Sequence, residues 1–399
     1  MSGRAPRQAH LMIVAGTRPE ATKLAPIVLA ARRRPSAIRV SLVATGQHRE
    51  MTRQALGVFG LVPDIDLDIM QERQSLADVT CRSLAGLDGV IREHRPDAVL
   101  VQGDTLAVAA GALAAFFQQV PAVHVEAGLR TGNIHDPFPE EMNRRLAGQL
   151  CSVHCAPTPR SREHLLREGI PPEAIYITGN TVTDAIQWAA ERVREPGALR
   201  ITPLGSGEPV AFASLGLPDR YVVVTAHRRE NIPDRLTRIC AALAELAGRP
   251  SIGIVFAVHP NPAVREIVQP MLGLVPSVVL IEPPDYLTFA GLMAGCTFLI
   301  TDSGGVQEEA PALRRPVLVV RETTERPEGV AAGVARLVGT RTEDIVRAAT
   351  QLLDDPVAYA EMQSHESPYG DGACADRVLD ATLHHLGLGP RPKDYVPTH

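Results

Sequence analysis

The chain has 399 residues and a formal net charge of -5, from 40 basic and 45 acidic residues. This mild charge argues against nucleic acid or a membrane surface as the main partner. The six cysteines are scattered, no apolar run is long enough to cross a membrane, and the basic N-terminus lacks the apolar core of a signal peptide. We therefore expect a cytoplasmic protein. Length alone suggests two or three domains.

The first strand is predicted at Leu11–Ala15, with a polar turn at Gly16–Glu20 and a helix from Ala21 to Arg32. A glycine turn that leads into a helix N-terminus, with Arg18 and Lys23 beside it, suits a phosphate group. The turn matches neither the dinucleotide-binding fingerprint nor the Walker loop. Two solvated surface charges are the alternative interpretation of Arg18 and Lys23.

Carboxylates follow two successive strands in the middle of the first half. Asp104 comes just after the strand Ala98–Val101, and Glu126 comes just after Ala122–Val125. In an open parallel sheet ligands bind outside the carboxyl ends of the strands, so both carboxylates should lie near one site. Glu140 heads the next helix. Asp104 could instead be an N-cap, and Glu140 a first-turn acid favoured by the helix dipole. Three acids within a short span, with Arg130, Arg144 and Arg145 in the same stretch, nevertheless favour acid/base chemistry on an anionic substrate.

Other polar segments of the first half carry weaker signals. Gln47 and His48 follow the second strand, where His48 could be an ordinary loop histidine. Cys151, His154 and Cys155 form the only local cluster of metal-ligand types, but a second half with zinc-ligand spacing is missing, so we expect no metal. The segment 196–219 is rich in Pro, Gly and Ser, which makes it the best candidate for an interdomain linker.

The α/β rhythm restarts after this segment. Tyr221–Thr225 is a predicted strand followed by His227, and Thr297–Thr301 is a strand that ends in Asp302-Ser303-Gly304-Gly305. Small residues at a strand-to-helix turn let main-chain amides close on an anion, although the turn could be purely structural. Glu309 follows one helical turn later, where a carboxylate could reach a ribose. Two restarting halves predict an α/β protein of two doubly wound domains that face a central cleft.

The motifs together resemble the bacterial non-hydrolysing UDP-N-acetylglucosamine 2-epimerase family, in order over about residues 10–385. The residues that carry the resemblance are Gly16–Glu20, Gln47–Met51, Gly103–Thr105, His124–Thr131, Pro139–Glu141, Thr178–Thr181, His227–Glu230, Thr301–Gly305 and Thr323–Glu328.

This resemblance implies a glycosyltransferase-B-like fold of two Rossmann-like domains. We expect residues 1–195 to form the N-terminal domain and 196–369 the C-terminal nucleotide-binding domain, with the helix in 370–399 crossing back to the first. The implied reaction is the reversible conversion of UDP-N-acetylglucosamine to UDP-N-acetylmannosamine, by elimination of UDP to a 2-acetamidoglucal and re-addition. An acid or base is needed on each face of the sugar, and neither NAD nor a metal is implied.

The resemblance also assigns roles to single residues. Asp104, Glu126 and Glu140 would be the acid/base set, and His227 would stabilise the departing phosphate. Substrate contacts would come from Arg18 and Lys23 near the sugar-phosphate, Ser303, Gly304 and Gly305 at the diphosphate, Glu309 at the ribose, Phe289 at the uracil and Arg326 in the nucleotide region. A second UDP-N-acetylglucosamine would act as an activator, with Gln47, His48, Gln71, Gln74 and Arg229 as its contacts, and the protein would be a homodimer.

Two positions depart from the expected pattern. Ala226 stands where a glycine is expected before His227, and Pro284, which has no main-chain N–H, stands near the expected uracil site. Three other functions remain open at this stage. They are a hydrolysing epimerase that releases free N-acetylmannosamine, an epimerase of a diacetamido-uronate UDP-sugar, and a glycosyltransferase of the same fold.

Overall fold

The computed structural model describes residues 7–47, 49–71, 73–193 and 199–397. The chain divides into two compact units. The N-terminal unit comprises Met1–Ala185 and Tyr369–Val396, and the C-terminal unit comprises Ile186–Pro368 and Pro397–His399. The domain boundary expected at residues 195 and 196 lies outside the described residues.

The N-terminal unit is built on a parallel sheet of seven strands among its described residues, in the order β3-β2-β1-β4-β5-β6-β7. All seven residues of the central strand β1 are buried, as expected for a parallel strand covered on both faces. The elements are β1 (Ala9–Ala15), α1 (Arg18–Arg32), β2 (Ile38–Ala44), α2 (Arg49–Val58), β3 (Ile65–Asp66), α3 (Leu76–His94), β4 (Ala98–Gln102), α4 (Leu106–Phe117), β5 (Ala122–Val125), α5 (Glu140–Leu150), β6 (Val153–Ala156), α6 (Pro159–Arg167), β7 (Ile175–Ile177) and α7 (Val182–Arg192), which continues into the second unit.

The C-terminal unit repeats this plan with six parallel strands in its described part, in the order β12-β11-β10-β13-β14-β15. The elements are the hairpin strands β8 (Arg200–Ile201) and β9 (Val210–Ala211), then β10 (Tyr221–Thr225), α8 (Asp234–Ala247), β11 (Gly253–Ala257), α9 (Pro262–Leu272), β12 (Val278–Ile281), α10 (Tyr286–Gly295), β13 (Phe298–Thr301), α11 (Gly304–Ala312), β14 (Val317–Val319), α12 (Pro327–Ala331), β15 (Ala335–Leu337), α13 (Thr342–Asp354) and α14 (Pro356–Ser364).

Alternate residues of β10 belong to different cores. Val222 and Val224 pack in a cluster with Leu243 of α8, whereas Val223 packs in a second cluster with Met293 of α10. Helices therefore cover both faces of this sheet, which is the doubly wound arrangement predicted from the sequence. Within the described ranges, no helix is both long and apolar enough to span a membrane.

The expected linker at 196–219 has a different structure where it is described. Its residues from 199 onward form the β8–β9 hairpin and a short 3₁₀ helix, Phe212–Leu215. Leu199 and Ile201 are buried in a core cluster of the C-terminal unit. The abundance of Pro and Gly reflects the tight turns of this hairpin, and its apolar residues attach it to the unit.

A last helix, α15 (Cys374–His385), belongs to the N-terminal unit and packs against α1. Asp184 accepts hydrogen bonds from the backbone N–H groups of Cys374 and Ala375, at 3.2 and 2.9 Å, which satisfies the first turn of the helix. After the helix, the N–H of Tyr395 donates to the carbonyl of Ile177 at 2.7 Å. The end of the described chain thus covers the edge strand β7.

Candidate functional site

A cavity of about 460 Å³ opens at the carboxyl ends of the central strands of the N-terminal unit. The neighbouring strands β1, β4 and β5 each end beside it, because parallel strands present their carboxyl ends at one edge of a sheet. The sequence-predicted residues that line it are Arg18, Lys23, Asp104, Glu126 and Glu140.

Glu126 is the most constrained of the carboxylates. Its backbone φ is +62°, which is unfavourable for a residue with a side chain and typical of strained functional positions. Both of its oxygens lie 2.7 Å from Lys23 Nζ. Gln102 Nε2 donates to Oε2, and Asn180 Nδ2 donates to Oε1 at 3.1 Å. Since only 4% of the side chain is exposed, the carboxylate is fixed in place by these donors.

Asp104 lies in a network with the first turns of α5. Its Oδ2 accepts from Arg144 Nη2, and its backbone carbonyl accepts from Asn143 Nδ2 at 2.9 Å. The same Arg144 donates to the buried Glu141 at 3.1 Å. Glu140, one residue earlier, faces the cavity instead. The two adjacent glutamates therefore have different environments, and about 30% of the Asp104 side chain remains exposed.

Glu20 is a buried carboxylate in the cavity wall to which sequence reasoning gave no role. Its Oε2 accepts from the N–H groups of Gly16 and Thr17 at 2.8 and 2.5 Å, and its Oε1 accepts from the Thr105 hydroxyl at 2.5 Å. Burial raises the pKa of Glu20 to about 7, although these hydrogen bonds act in the opposite direction. The signal in the sequence was its place three residues after Thr17, which forms a capping box.

His124 is a second residue to which the sequence analysis assigned no role. It is fully buried in β5, and its Nε2 donates to the carbonyl of Gly103 at 2.7 Å. Gly103 has a φ of +83°, so the backbone that leads into Asp104 needs a glycine and is held by this histidine. Burial lowers the pKa of His124 to about 4, which keeps the ring neutral. The sequence signal for such a role was the position of this histidine inside the otherwise apolar strand Ala122–Val125.

The C-terminal unit carries the predicted anion-binding turn, Ser303-Gly304-Gly305, at the start of α11. We call this turn the anion cradle. Ser303 is the N-cap, and its side chain makes no capping hydrogen bond. Neither Gly304 nor Gly305 has a positive φ, and a Cβ at either position would meet no atom closer than 3.7 and 3.9 Å respectively. The fold therefore does not require glycine here. Bare backbone amides at a helix N-terminus are instead suited to close approach by an anion.

His227 stands beside this cradle, after β10. Its Nδ1 lies 3.6 Å from Oδ1 of the buried Asp302, and its ring stacks on His259 with centroids 5.2 Å apart. Burial lowers the pKa of His227, the charge of Asp302 opposes this shift, and His259 and Arg228 reinforce it.

The remaining predicted nucleotide contacts are Phe289 on α10, Glu309 on α11 and Arg326, the residue that precedes α12. Glu309 is buried beside Tyr286, and burial together with the Glu309 charge raises the pKa of the Tyr286 phenol. Arg326 forms a salt bridge with the buried Glu308 through its Nε. Phe289 is partly buried against the core cluster that includes Met293. Each of these side chains is held by its own unit.

Within the described ranges, the residues expected to bind an activator do not line the cavity of the N-terminal unit, and they differ from one another in burial and hydrogen bonding. Gln47 Oε1 is buried and has no hydrogen-bond partner among the described residues, and Gln74 Nε2 donates to the carbonyl of Ile69 at 2.5 Å. Gln71 and Arg229 are exposed. His48 lies outside the described residues. In the part of the chain that the structure describes, no group of three His, Cys, Asp or Glu side chains is arranged to hold a metal ion.

Comparison with known proteins identifies the family. A family model described as UDP-N-acetylglucosamine 2-epimerase matches residues 30–383. A UDP-N-acetylglucosamine 2-epimerase of Salmonella typhimurium is 48% identical over 372 residues, which cover 93% of this chain and 97% of the relative. The chain belongs to the UDP-N-acetylglucosamine 2-epimerase family. The resemblance drawn from its motifs is thereby confirmed.

Solved structures agree with this assignment. The Neisseria meningitidis UDP-GlcNAc 2-epimerase bound to UDP-GlcNAc has a TM-score of 0.80 and 41% identity, covering 94% of this chain and all of that one. The glycosyltransferase of kitacinnamycin is 14% identical, with a TM-score of 0.62, and covers 96% of this chain and all of that one. This second likeness concerns the fold alone, and it confirms the predicted glycosyltransferase-B-like class for this member of the epimerase family.

Proposed function

We propose that the protein interconverts UDP-N-acetylglucosamine and UDP-N-acetylmannosamine at carbon 2 of the sugar, without hydrolysis. The observation that carries the proposal is the grouping of Asp104, Glu126 and Glu140 with Arg18 and Lys23 around one cavity, in a chain of this family. Carboxylates can remove and return a proton. The two cations favour a substrate that carries phosphate charge.

The reaction proceeds by elimination and re-addition. A carboxylate removes the proton on carbon 2, the electron pair of that C–H bond forms the double bond to carbon 1, and the bond from carbon 1 to the phosphate oxygen breaks. UDP leaves with the electron pair of the broken bond between carbon 1 and the phosphate oxygen, and a 2-acetamidoglucal remains. Protonation of carbon 2 from the opposite face and return of the UDP oxygen to carbon 1 complete the inversion. Two acid/base groups are required, which Asp104, Glu126 and Glu140 can supply.

The UDP part of the substrate is assigned to the C-terminal unit. The open amides after Ser303, at Gly304 and Gly305, suit the diphosphate, and His227 beside them would neutralise charge on the leaving phosphate. Glu309 can accept hydrogen bonds from the ribose hydroxyls. Arg326 and Phe289 are assigned to the nucleotide, the former by charge and the latter by its flat ring.

The proposal includes regulation by a second substrate molecule. A second UDP-N-acetylglucosamine would activate the enzyme through Gln47, His48, Gln71, Gln74 and Arg229. Among the described residues Gln47 Oε1 has no hydrogen-bond partner, which supports a polar ligand there.

A homodimer is supported by exposed apolar side chains on α4 and α5, namely Phe116, Phe117, Met142 and Leu146. We place the protein in the cytoplasm because all six cysteines are free thiols.

Proton NMR in deuterated water tests the reaction directly. The protein is incubated with UDP-N-acetylglucosamine and no added cofactor. UDP-N-acetylmannosamine carrying deuterium at carbon 2 is the expected product, and the remaining substrate should also gain deuterium through the reverse reaction. Free N-acetylmannosamine with UDP would contradict the non-hydrolysing mechanism, and an unchanged spectrum would contradict the proposed substrate.

A further inference from the structure

Asp302 is completely buried at the end of β13, and one of its two carboxylate oxygens is fully used. Oδ2 accepts from the backbone N–H groups of His227 and Arg228, both at 2.8 Å. It also accepts from Asn231 Nδ2 at 2.9 Å. One oxygen therefore fixes the backbone of the loop that follows β10.

The second oxygen, Oδ1, has a different environment. It is buried and has no hydrogen-bond partner among the described residues. Its neighbour is Nδ1 of the His227 ring, at 3.6 Å. A buried carboxylate oxygen without a donor is costly, so its placement calls for a reason. In this structure the oxygen directs its charge at the imidazole.

The position of Asp302 in the chain connects this imidazole to the anion cradle. Asp302 immediately precedes Ser303, the N-cap of α11, and Thr225 and Thr301 at the ends of β10 and β13 are joined through their hydroxyls at 2.6 Å. The side chain of Asp302 thus holds the His227 loop while its backbone leads into the cradle. Any anion bound at the cradle would meet a ring whose direction Asp302 controls.

We propose that Asp302 is the positioning residue for His227: its carboxylate directs Nδ1 inward, so that Nε2 faces the phosphate of the bound UDP-sugar. This role rests on the function proposed above for His227. The proposed role of Asp302 resembles that of the aspartate in a Ser-His-Asp triad, where a buried carboxylate orients a histidine and stabilises its protonated form. Stacking of the ring on His259 restricts the remaining rotation.

The charges around the His227 ring explain why a carboxylate, and not a neutral side chain, stands beside it. The groups that face His227 are Asp302, His259 and Arg228, and of these only Asp302 favours the protonated ring. Burial and the two basic neighbours lower its pKa. Without the carboxylate, His227 would be neutral over a wider pH range and less able to neutralise a leaving phosphate.

The Asp302→Asn variant separates charge from shape. Its amide oxygen can keep the three hydrogen bonds at Oδ2, while an NH₂ group replaces Oδ1 opposite the ring. We expect kcat to fall by about 100-fold or more, and KM and the affinity for UDP to change by less than tenfold. The pKa of His227, followed by NMR on histidine-labelled protein, should fall below the wild-type value. The variant Asp355→Asn is the matched control, because Asp355 also accepts backbone amides, from Val357 and Ala358 at the start of α14.

Two results would overturn the proposal. One is an Asp302→Asn protein whose pH-rate profile and His227 titration match those of the wild type. The other comes from the wild-type protein and needs no variant: ¹⁵N shifts should show the Nδ1–H tautomer in the neutral ring, and an Nε2–H tautomer would contradict the inward direction of Nδ1. Since both His227 measurements are independent of turnover, they test the role of Asp302 even if the proposed reaction fails its own test.

Discussion

Lys23 Nζ lies 2.7 Å from both carboxylate oxygens of Glu126, and only 19% and 4% of the two side chains are exposed. The resemblance placed Lys23 near the sugar-phosphate, and in this structure its direct partner is a candidate catalytic carboxylate. A cation in this position offsets part of the cost of burying the Glu126 carboxylate in the cavity wall. It can also meet a substrate, because it lines the same cavity.

The Lys23→Met variant should show how much this pair contributes. Removing one partner of a buried ion pair is expected to destabilise the protein by roughly 3–5 kcal/mol, because the other charge stays buried. The double variant Lys23→Met/Glu126→Gln should recover part of that loss of stability, measured by urea unfolding. It should have no epimerase activity, because Glu126 is a candidate acid/base group. The exposed pair Arg167–Glu163 provides a control, since Arg167→Met should cost about 1 kcal/mol or less. A double variant less stable than both single variants would contradict this account.

The Asp104→Asn variant tests whether the carboxylate serves chemistry or structure. Loss of an acid/base group should reduce kcat by about 10²- to 10⁴-fold, while UDP binding, measured by calorimetry, should stay within a few-fold of the wild type. Asp371→Asn is the control, because Asp371 also pairs with an arginine, Arg377, but does not line the cavity. Equal losses of turnover and UDP affinity in Asp104→Asn would show that Asp104 is structural.

Glu20 predicts a specific pH dependence of stability. Its folded pKa of about 7 lies above the ordinary value of 4.5, so the folded protein holds this proton where the unfolded chain has lost it. Stability from this group is therefore lost as the pH rises from about 4.5 to 7, by on the order of 3 kcal/mol.

The Glu20→Gln variant removes that loss. Its amide can accept from Gly16 and Thr17 and donate to the Thr105 hydroxyl, as a protonated Glu20 would. Above pH 7 the variant should be at least as stable as the wild type, and the two should converge at acid pH. Urea unfolding followed by circular dichroism checks this, with the exposed Glu50→Gln as control. Parallel stability profiles of wild type and variant would contradict a raised pKa.

Strand ends were predictable because the buried strands are short apolar runs, and polar residues stand where each run stops. Asp104, Glu126 and Ser303 were found in this way. Pairings across the chain were not predictable, because nothing local links Lys23 to Glu126 or Arg144 to Asp104. The helix α9 (Pro262–Leu272) was also missed, since its N-cap, Asn261, stands among prolines that indicate a turn.

Gly304 provides a last test, because its glycine serves no evident need of the fold. A Cβ there would lie 3.7 Å from Arg228 Nη2, an ordinary contact, and the backbone needs no positive φ. We expect Gly304→Ala to fold with unchanged or higher stability, since alanine favours helices. Its methyl group would lie over the amides that receive the diphosphate, and the affinity for UDP should fall at least about tenfold, which is 1.4 kcal/mol.

The control for this variant is Gly89→Ala in α3, where a Cβ would meet no atom within 4 Å. It should raise stability by up to about 1 kcal/mol and leave UDP binding unchanged. Calorimetric titration with UDP and thermal unfolding of both variants give the two quantities. A Gly304→Ala protein that binds UDP as tightly as the wild type would move the diphosphate away from the start of α11, because a ligand that touches those amides cannot tolerate a methyl group between itself and them.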